Sequence, residues 1–125
     1  MIKIHPDVIA NLLEYAKVKH PNESMILLGG SISKDGIVVD HLIYQHVQSN
    51  RRSAISYIDT SALSGVVGSC HSHPGRSNIP SIADKKFFSK YLGIHLIIKY
   101  PYGKEDVAFY DNYGEKIDQD LIVIA

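Results

Sequence analysis

Residues 66–84 of the 125-residue chain read VVGSCHSHPGRSNIPSIAD. The segment opens with apolar and small residues, which predicts an inner strand from Val66 to His73. Residues 74–80 are rich in turn-forming side chains and predict a loop. Ser81 and Asp84 then have the spacing of a helix N-terminal cap. A strand, a loop and the start of a helix are therefore expected in immediate succession.

The flanking sequence predicts a mixed sheet with two main helices. His5-Pro6-Asp7 opens the first helix, whose apolar residues recur at helical spacing until Pro21. The second helix follows Ser81 and carries Phe87, Phe88, Tyr91 and Leu92. Further strands are predicted at 25–28 (closed by Gly29-Gly30), 37–44, 54–58, 95–100 and 107–111, with a last strand ending at Val123. We expect one α/β domain spanning 1–125.

The composition excludes several classes of function. Lys plus Arg and Asp plus Glu both number 13, so the formal net charge at pH 7 is zero and no basic surplus favours nucleic acid. The first residues lack a signal-peptide core, and no apolar run approaches the roughly 18 residues of a membrane span. We expect a cytoplasmic protein. Cys70 is the only cysteine, which excludes an internal disulfide and cysteine-based zinc ribbons.

His71 and His73 are candidate metal ligands. Side chains alternate along a strand, so these two histidines project from one face while Cys70 and Ser72 project from the other. A His-x-His pair alone is more often a polar strand edge than a metal site. Asp84 in the first turn of the next helix completes a set of three donors, however, and leaves a fourth tetrahedral position for water. That open set is typical of a catalytic zinc, although it does not exclude other divalent metals.

Two further residues are candidates for the chemistry. Hydrolysis needs a carboxylate outside the metal shell to take a proton from water and return one to the leaving amine. Glu23 begins an otherwise apolar strand, where a charged side chain needs a partner. Ser81 lies in the same loop as the ligands, and its hydroxyl is a candidate donor to an oxyanion.

At these residues the chain resembles the JAMM motif of the MPN+ metallopeptidases. That motif is a distant Glu, then His-Ser/Thr-His, seven residues, Ser, two residues and Asp. The sequence supplies Glu23, His71-Ser72-His73, Ser81 and Asp84 in this spacing. The segments 21–30 and 95–102 resemble the first strand and the later strand and turn of the family, so the likeness covers nearly the whole chain. Bulky Met25 and Ile26 stand where the family has a small residue.

The resemblance implies a fold and a function. The fold would be a three-layer, cytidine-deaminase-like α/β sandwich. His71, His73 and Asp84 would bind one Zn²⁺ per chain, while Glu23 would handle the protons of water and Ser81 would steady the tetrahedral intermediate. The substrates would be isopeptide or peptide bonds after the carboxyl terminus of ubiquitin-like modifiers or sulfur-carrier proteins. The chain is close to the minimal core, which fits a compact prokaryotic or archaeal member.

Other functions stay open at this point. The domain can be a non-catalytic module that binds a ubiquitin-like partner, or a zinc hydrolase of another amide. A zinc deaminase is excluded because its Pro-Cys-x-x-Cys signature needs two cysteines. A thiol nucleophile is disfavoured because alternation turns Cys70 away from both histidines. A Gly-Gly tail would suit a narrow cleft and could add as a strand beside residues 54–58 or beside the loop before Ser81. The sequence predicts no oligomeric state.

Overall fold

The computed structural model describes residues 1–44, 47–49, 54–56, 65–91 and 93–125, with side chains everywhere except in 47–49 and 54–56. Within these ranges the chain forms an α/β fold built on a mixed sheet, which confirms the predicted class. The more specific likeness to the layers of a cytidine deaminase stays a prediction.

The strands are, in chain order, β1 (Ile2–Ile4), β2 (Ser24–Ser33), β3 (Gly36–Ile43), β4 (Val47–Ser49), β5 (Ala54–Ser56), β6 (Val66–His73), β7 (Ile94–Lys99), β8 (Val107–Tyr110) and β9 (Ile122–Ile124). Seven of the strands in the described part form one sheet in the order β8-β7-β6-β2-β3-β1-β9, and β4 pairs with β5. Strand β6 is antiparallel to β2 and parallel to β7. It therefore lies inside the sheet, where both neighbours fix its register. Of the predicted strand 54–58, residues 57–58 lie outside the described residues.

Helix α1 (Pro6–Lys19) packs its apolar side on one face of the sheet. His5 is its N-cap and accepts a hydrogen bond from the Asp7 N–H, and Pro6 stands at the first position, where a missing donor costs nothing. The buried residues recur at helical spacing: Val8, Ile9, Leu12, Leu13 and Ala16. The predicted helix is thus confirmed. No helix in the described ranges is long and apolar enough to cross a membrane.

The β2–β3 hairpin is longer than predicted. Gly29-Gly30 do not close the first strand, because β2 continues through a bulge at this pair as far as Ser33. The backbone of β3 comes so close that a Cβ at Gly30 would lie 1.8 Å from the Val38 carbonyl oxygen. These glycines therefore permit close strand approach and a bulge where a turn was predicted.

Helix α2 (Ile82–Phe88) packs on the opposite face. Phe88 contacts Ile97, Ala108 and Tyr110, whereas Leu96 and Ile98, one residue to either side of Ile97, belong to the core under α1. Alternation along β7 thus separates two apolar clusters. The helix is shorter than predicted: Tyr91 follows its end, and Leu92 lies outside the described residues.

Candidate metal centre and active site

Strand β6 delivers two histidines to the face that α2 covers. The His71 ring is buried and packs edge-on against Phe87 and Phe88, with ring centroids 5.1 and 5.7 Å away. Cys70 points to the other face, where it is buried among the apolar residues under α1. Burial raises the pKa of its thiol, which disfavours the nucleophilic thiolate. The predicted alternation is confirmed, and Cys70 is a small core residue.

The start of α2 fixes the carboxylate of Asp84. Ser81 is the N-cap, and its Oγ accepts a hydrogen bond from the Asp84 N–H at 3.1 Å. In return, the Ser81 N–H donates to Asp84 Oδ2 at 2.9 Å. This reciprocal capping box confirms the predicted helix start and holds Asp84 in one orientation, aimed back at β6.

Both histidines face this carboxylate. His73 Nε2 lies 3.1 Å from Asp84 Oδ2, and His71 Nδ1 lies 3.9 Å from Asp84 Oδ1. The other ring nitrogen of His73 lies 3.0 Å from the Ser77 carbonyl oxygen, which can only accept, so Nδ1 donates there. The loop before α2 therefore fixes the His73 ring and leaves Nε2 facing Asp84.

Glu23 lies at the edge of the same cluster. It precedes Ser24, which pairs with Ser72 across β2 and β6, and the Ser24 N–H donates to Ser72 Oγ at 2.9 Å. Glu23 Oε1 comes within 3.8 Å of His73 Nε2, and 12% of its side chain is exposed. The structure thus brings all five predicted site residues to one end of β6: Glu23, His71, His73, Ser81 and Asp84.

The charges of the cluster are shaped by burial and by mutual contact. Burial raises the pKa of Glu23 to about 7, against an opposing effect of His73. Burial also lowers the pKa of His71 to about 4, although Asp84 opposes this. For Asp84 itself burial acts upward, but hydrogen bonds from His73 and Ser81 outweigh it and lower the pKa to about 2. A neutral His71 and an ionised Asp84 are the protonation states that a metal needs. For His73 burial acts downward, but hydrogen bonds to Asp84 and Ser77 outweigh it and raise the pKa, so a bound metal would have to displace a proton from this ring.

The donor set fits a zinc ion in chemistry and in pairwise spacing. Imidazole and carboxylate are zinc ligands, and donors that share one tetrahedral zinc at about 2.1 Å lie about 3.4 Å apart. The two histidine–carboxylate distances, 3.1 and 3.9 Å, bracket that value. Across the described ranges, however, no three His, Cys, Asp or Glu side chains are grouped closely enough to hold a metal ion without rearrangement. The donors are neighbours, and holding an ion would require small side-chain adjustments.

Ser69 and His95 also contact the cluster, and the sequence did not predict this. Ser69 Oγ lies 3.1 Å from His71 Nε2 and 2.7 Å from His95 Nδ1. Ser69 stands two residues before His71 in β6, so the alternation that pairs His71 with His73 also places Ser69 on their face. No motif marks His95, which comes from the neighbouring strand.

A cavity of about 470 Å³ lies elsewhere, between the start of α1 and β8. Pro6, Ile9, Phe109 and Ile122 are among its lining residues, and none of the five site residues lines it. Its walls are mostly apolar. The candidate site is defined by its convergent polar side chains.

Comparison with known proteins identifies the family. The family model for prokaryotic homologs of the JAB domain matches residues 5–112. A probable metalloprotease from Haloferax volcanii is 36% identical over 130 aligned residues, which cover 98% of this chain and 80% of the relative.

Solved structures agree. A JAB1/MPN domain protein from Archaeoglobus fulgidus superposes with a TM-score of 0.72 at 31% identity and covers 100% of this chain and 97% of its own. A structure described as JAMM, a metalloprotease-like zinc site in the proteasome and signalosome, gives 0.70 at 29% identity, covering 100% and 98%. The chain belongs to the prokaryotic homologs of the JAB domain, and hence to the JAMM/MPN metalloprotease-like family that its motif indicated.

Proposed function

We propose that this chain is a zinc metallopeptidase that hydrolyses the peptide or isopeptide bond after the carboxyl terminus of a ubiquitin-like modifier or sulfur-carrier protein. His71, His73 and Asp84 would hold one zinc ion. The observation that carries the proposal is the convergence of two imidazoles on the capped carboxylate of Asp84, with Glu23 within 3.8 Å of His73. When bound, zinc would supply Lewis acidity toward the scissile carbonyl and toward water.

Glu23 is the proposed proton carrier. Its carboxylate borders the donor cluster without lying in the capping box, and burial raises its pKa to about 7, where it can both accept and return a proton near neutral pH. Glu23 would take a proton from the attacking water and deliver it to the leaving amine. A group of this kind contributes about 10² to 10⁴ in rate.

Ser81 is the proposed oxyanion donor. Its Oγ accepts the Asp84 N–H, which uses a lone pair and leaves the hydroxyl proton free to donate. The residue lies on the exposed side of the capping box, beside Asp84. The hydroxyl would therefore donate to the oxygen on which charge develops as the carbonyl is attacked.

The substrate class follows from the resemblance and from the crowding of the cleft. His71, His73 and Ser81 all contact the carboxylate of Asp84, so we expect a side chain next to the scissile carbonyl to clash. A tail that ends in Gly-Gly avoids this clash. Main-chain hydrogen bonds to a neighbouring strand such as β5 would hold the tail extended.

The test is cleavage of ubiquitin-like conjugates, read by gel with and without a chelator. We expect the wild type to cleave Gly-Gly conjugates, to lose this activity with the chelator and to regain it when zinc is added. Conjugates in which either glycine is replaced by a bulky residue should stay uncut. Binding of the modifier without cleavage would favour the non-catalytic module. Equal cleavage of tails with and without Gly-Gly would favour a less selective zinc amide hydrolase.

A further inference from the structure

Ser69 and His95 form a buried hydrogen-bond chain behind the candidate ligand His71. The two residues are direct partners in the parallel pairing of β6 and β7, and both side chains are 0% exposed. The chain runs from the Tyr91 carbonyl to His95 Nε2 at 3.1 Å, from His95 Nδ1 to Ser69 Oγ at 2.7 Å, and from Ser69 Oγ to His71 Nε2 at 3.1 Å. A polar chain without water access has to be satisfied internally.

The Tyr91 carbonyl determines which atom is the donor in each of these hydrogen bonds. The Tyr91 carbonyl is only an acceptor, so His95 Nε2 must carry a proton and donate it. The His95 ring is stacked on Phe88, with centroids 4.4 Å apart, and burial lowers its pKa to about 4 against the opposing effects of Tyr91 and Asp111. The ring is therefore neutral near pH 7, and its Nδ1 is an acceptor.

The hydroxyl of Ser69 in turn determines which ring nitrogen of His71 carries the proton. Because His95 Nδ1 accepts, Ser69 must donate its single hydroxyl proton to that nitrogen. Ser69 Oγ then has only lone pairs to offer to His71 Nε2, which must carry a proton. A neutral His71 protonated at Nε2 has a bare Nδ1, and Nδ1 is the nitrogen that faces Asp84 at 3.9 Å.

We propose that Ser69 and His95 are positioning residues that fix His71 as the Nε2–H tautomer, so that Nδ1 is presented to the metal. His71 and His73 are then oriented by different means: a loop carbonyl fixes the His73 ring, whereas buried side-chain hydrogen bonds through Ser69 fix the His71 ring. Partners of this kind typically change metal affinity by about 10- to 100-fold when they are removed. The proposal rests on the metal site of the proposed function, but the tautomer is measurable without metal.

The direct test is ¹⁵N NMR of the histidine rings in the metal-stripped full chain. The pattern of long-range proton–nitrogen couplings distinguishes an Nε2–H ring from an Nδ1–H ring. Nε2–H is expected for both His71 and His95. An Nδ1–H tautomer at His71 would overturn the proposal even if the protein binds zinc and cleaves its substrate. The predicted tautomer in a protein that binds no zinc would instead refute the proposed function alone.

Two variants test the consequence for zinc. Ser69→Ala removes the link with little change in volume and is expected to weaken zinc binding by about 10- to 100-fold in competition with a chromophoric chelator, and to let His71 sample both tautomers. His95→Leu removes the next link and is expected to act in the same direction. Ser72→Ala is the matched control, because Ser72 is a buried serine of the same strand whose hydroxyl contacts Ser24 instead of a ring. Wild-type zinc affinity in folded Ser69→Ala, or an equal loss in Ser72→Ala, would overturn the proposal.

Discussion

Replacing Glu23 by Gln separates proton transfer from metal binding. The change keeps the size and shape of the side chain but removes its ability to accept and return a proton. Glu23 lies outside the capping box and contacts the cluster through His73 at 3.8 Å. Zinc content is therefore expected to stay at the wild-type level, while turnover falls by about 10² to 10⁴.

The same substitution has a calculable effect on stability. Burial raises the pKa of Glu23 from 4.5 in the unfolded chain to about 7 in the folded one, so the folded state binds more protons between these values and loses stability as the pH rises through them. The full shift corresponds to about 3 kcal/mol, which screening at this partly solvated group reduces to about 1 to 2 kcal/mol. Gln carries no such penalty. At pH 8, metal-stripped Glu23→Gln is expected to be about 1 to 2 kcal/mol more stable than the wild type.

Single-turnover cleavage and urea unfolding at pH 8 measure the two effects. Glu14→Gln is the matched control, because Glu14 is exposed on α1, which packs on the face of the sheet opposite α2, and should change neither. Near-wild-type turnover in Glu23→Gln would show that another group moves the protons. A loss of zinc together with activity would show that Glu23 acts on the metal instead.

Three further predictions follow from single contacts. Cys70→Ser should stay active and chelator-sensitive, with a loss of about 1 kcal/mol in the free energy of unfolding, because its side chain lies in the apolar core under α1; abolished hydrolysis in a folded, zinc-loaded variant would revive a thiol mechanism. Ser81→Ala should lose about 1 kcal/mol from the missing cap and about 10² to 10³ in turnover, and unchanged turnover would remove its oxyanion role. Burial lowers the pKa of His95 to about 4 in the folded state, below its unfolded value of 6.5. The contribution of the neutral His95 to the free energy of unfolding is therefore fully present above pH 6.5 and is lost as the pH falls from 6.5 to about 4. Because Glu23 and His71 also titrate in this window, the effect of His95 is read as a difference: the free energy of unfolding of the metal-stripped wild type minus that of His95→Leu should be about 2 kcal/mol smaller at pH 5 than at pH 7. A difference that does not change with pH would contradict a neutral buried His95.

The sequence predicted the parts of the fold that local patterns determine. The helical spacing of apolar residues predicted α1, and the spacing of Ser81 and Asp84 predicted both the start of α2 and its N-terminal cap. Period-2 alternation along β6 separated His71 from Cys70 correctly. These features depend on neighbours one to four residues away, which a single sequence displays directly.

Features that depend on distant partners were missed or wrong. Gly29-Gly30 looked like a strand end, but they lie where β3 approaches too closely for a side chain. Strand β1 is only three residues long, so it has no readable period, and it forms by parallel pairing with β3 and β9. The contact of Ser69 with His95 exists because β6 and β7 pair in one particular register, which no local pattern in either strand encodes.

Zinc content decides whether His71, His73 and Asp84 form a metal site. The wild-type chain, stripped and then supplemented with zinc, should contain one zinc per chain by elemental analysis, because His71, His73 and the capped Asp84 supply three converging donors. Asp84→Ala should lose most of that metal, while Glu23→Gln should keep it. A wild-type protein that remains folded but binds no zinc would contradict the assignment of His71, His73 and Asp84 as metal ligands.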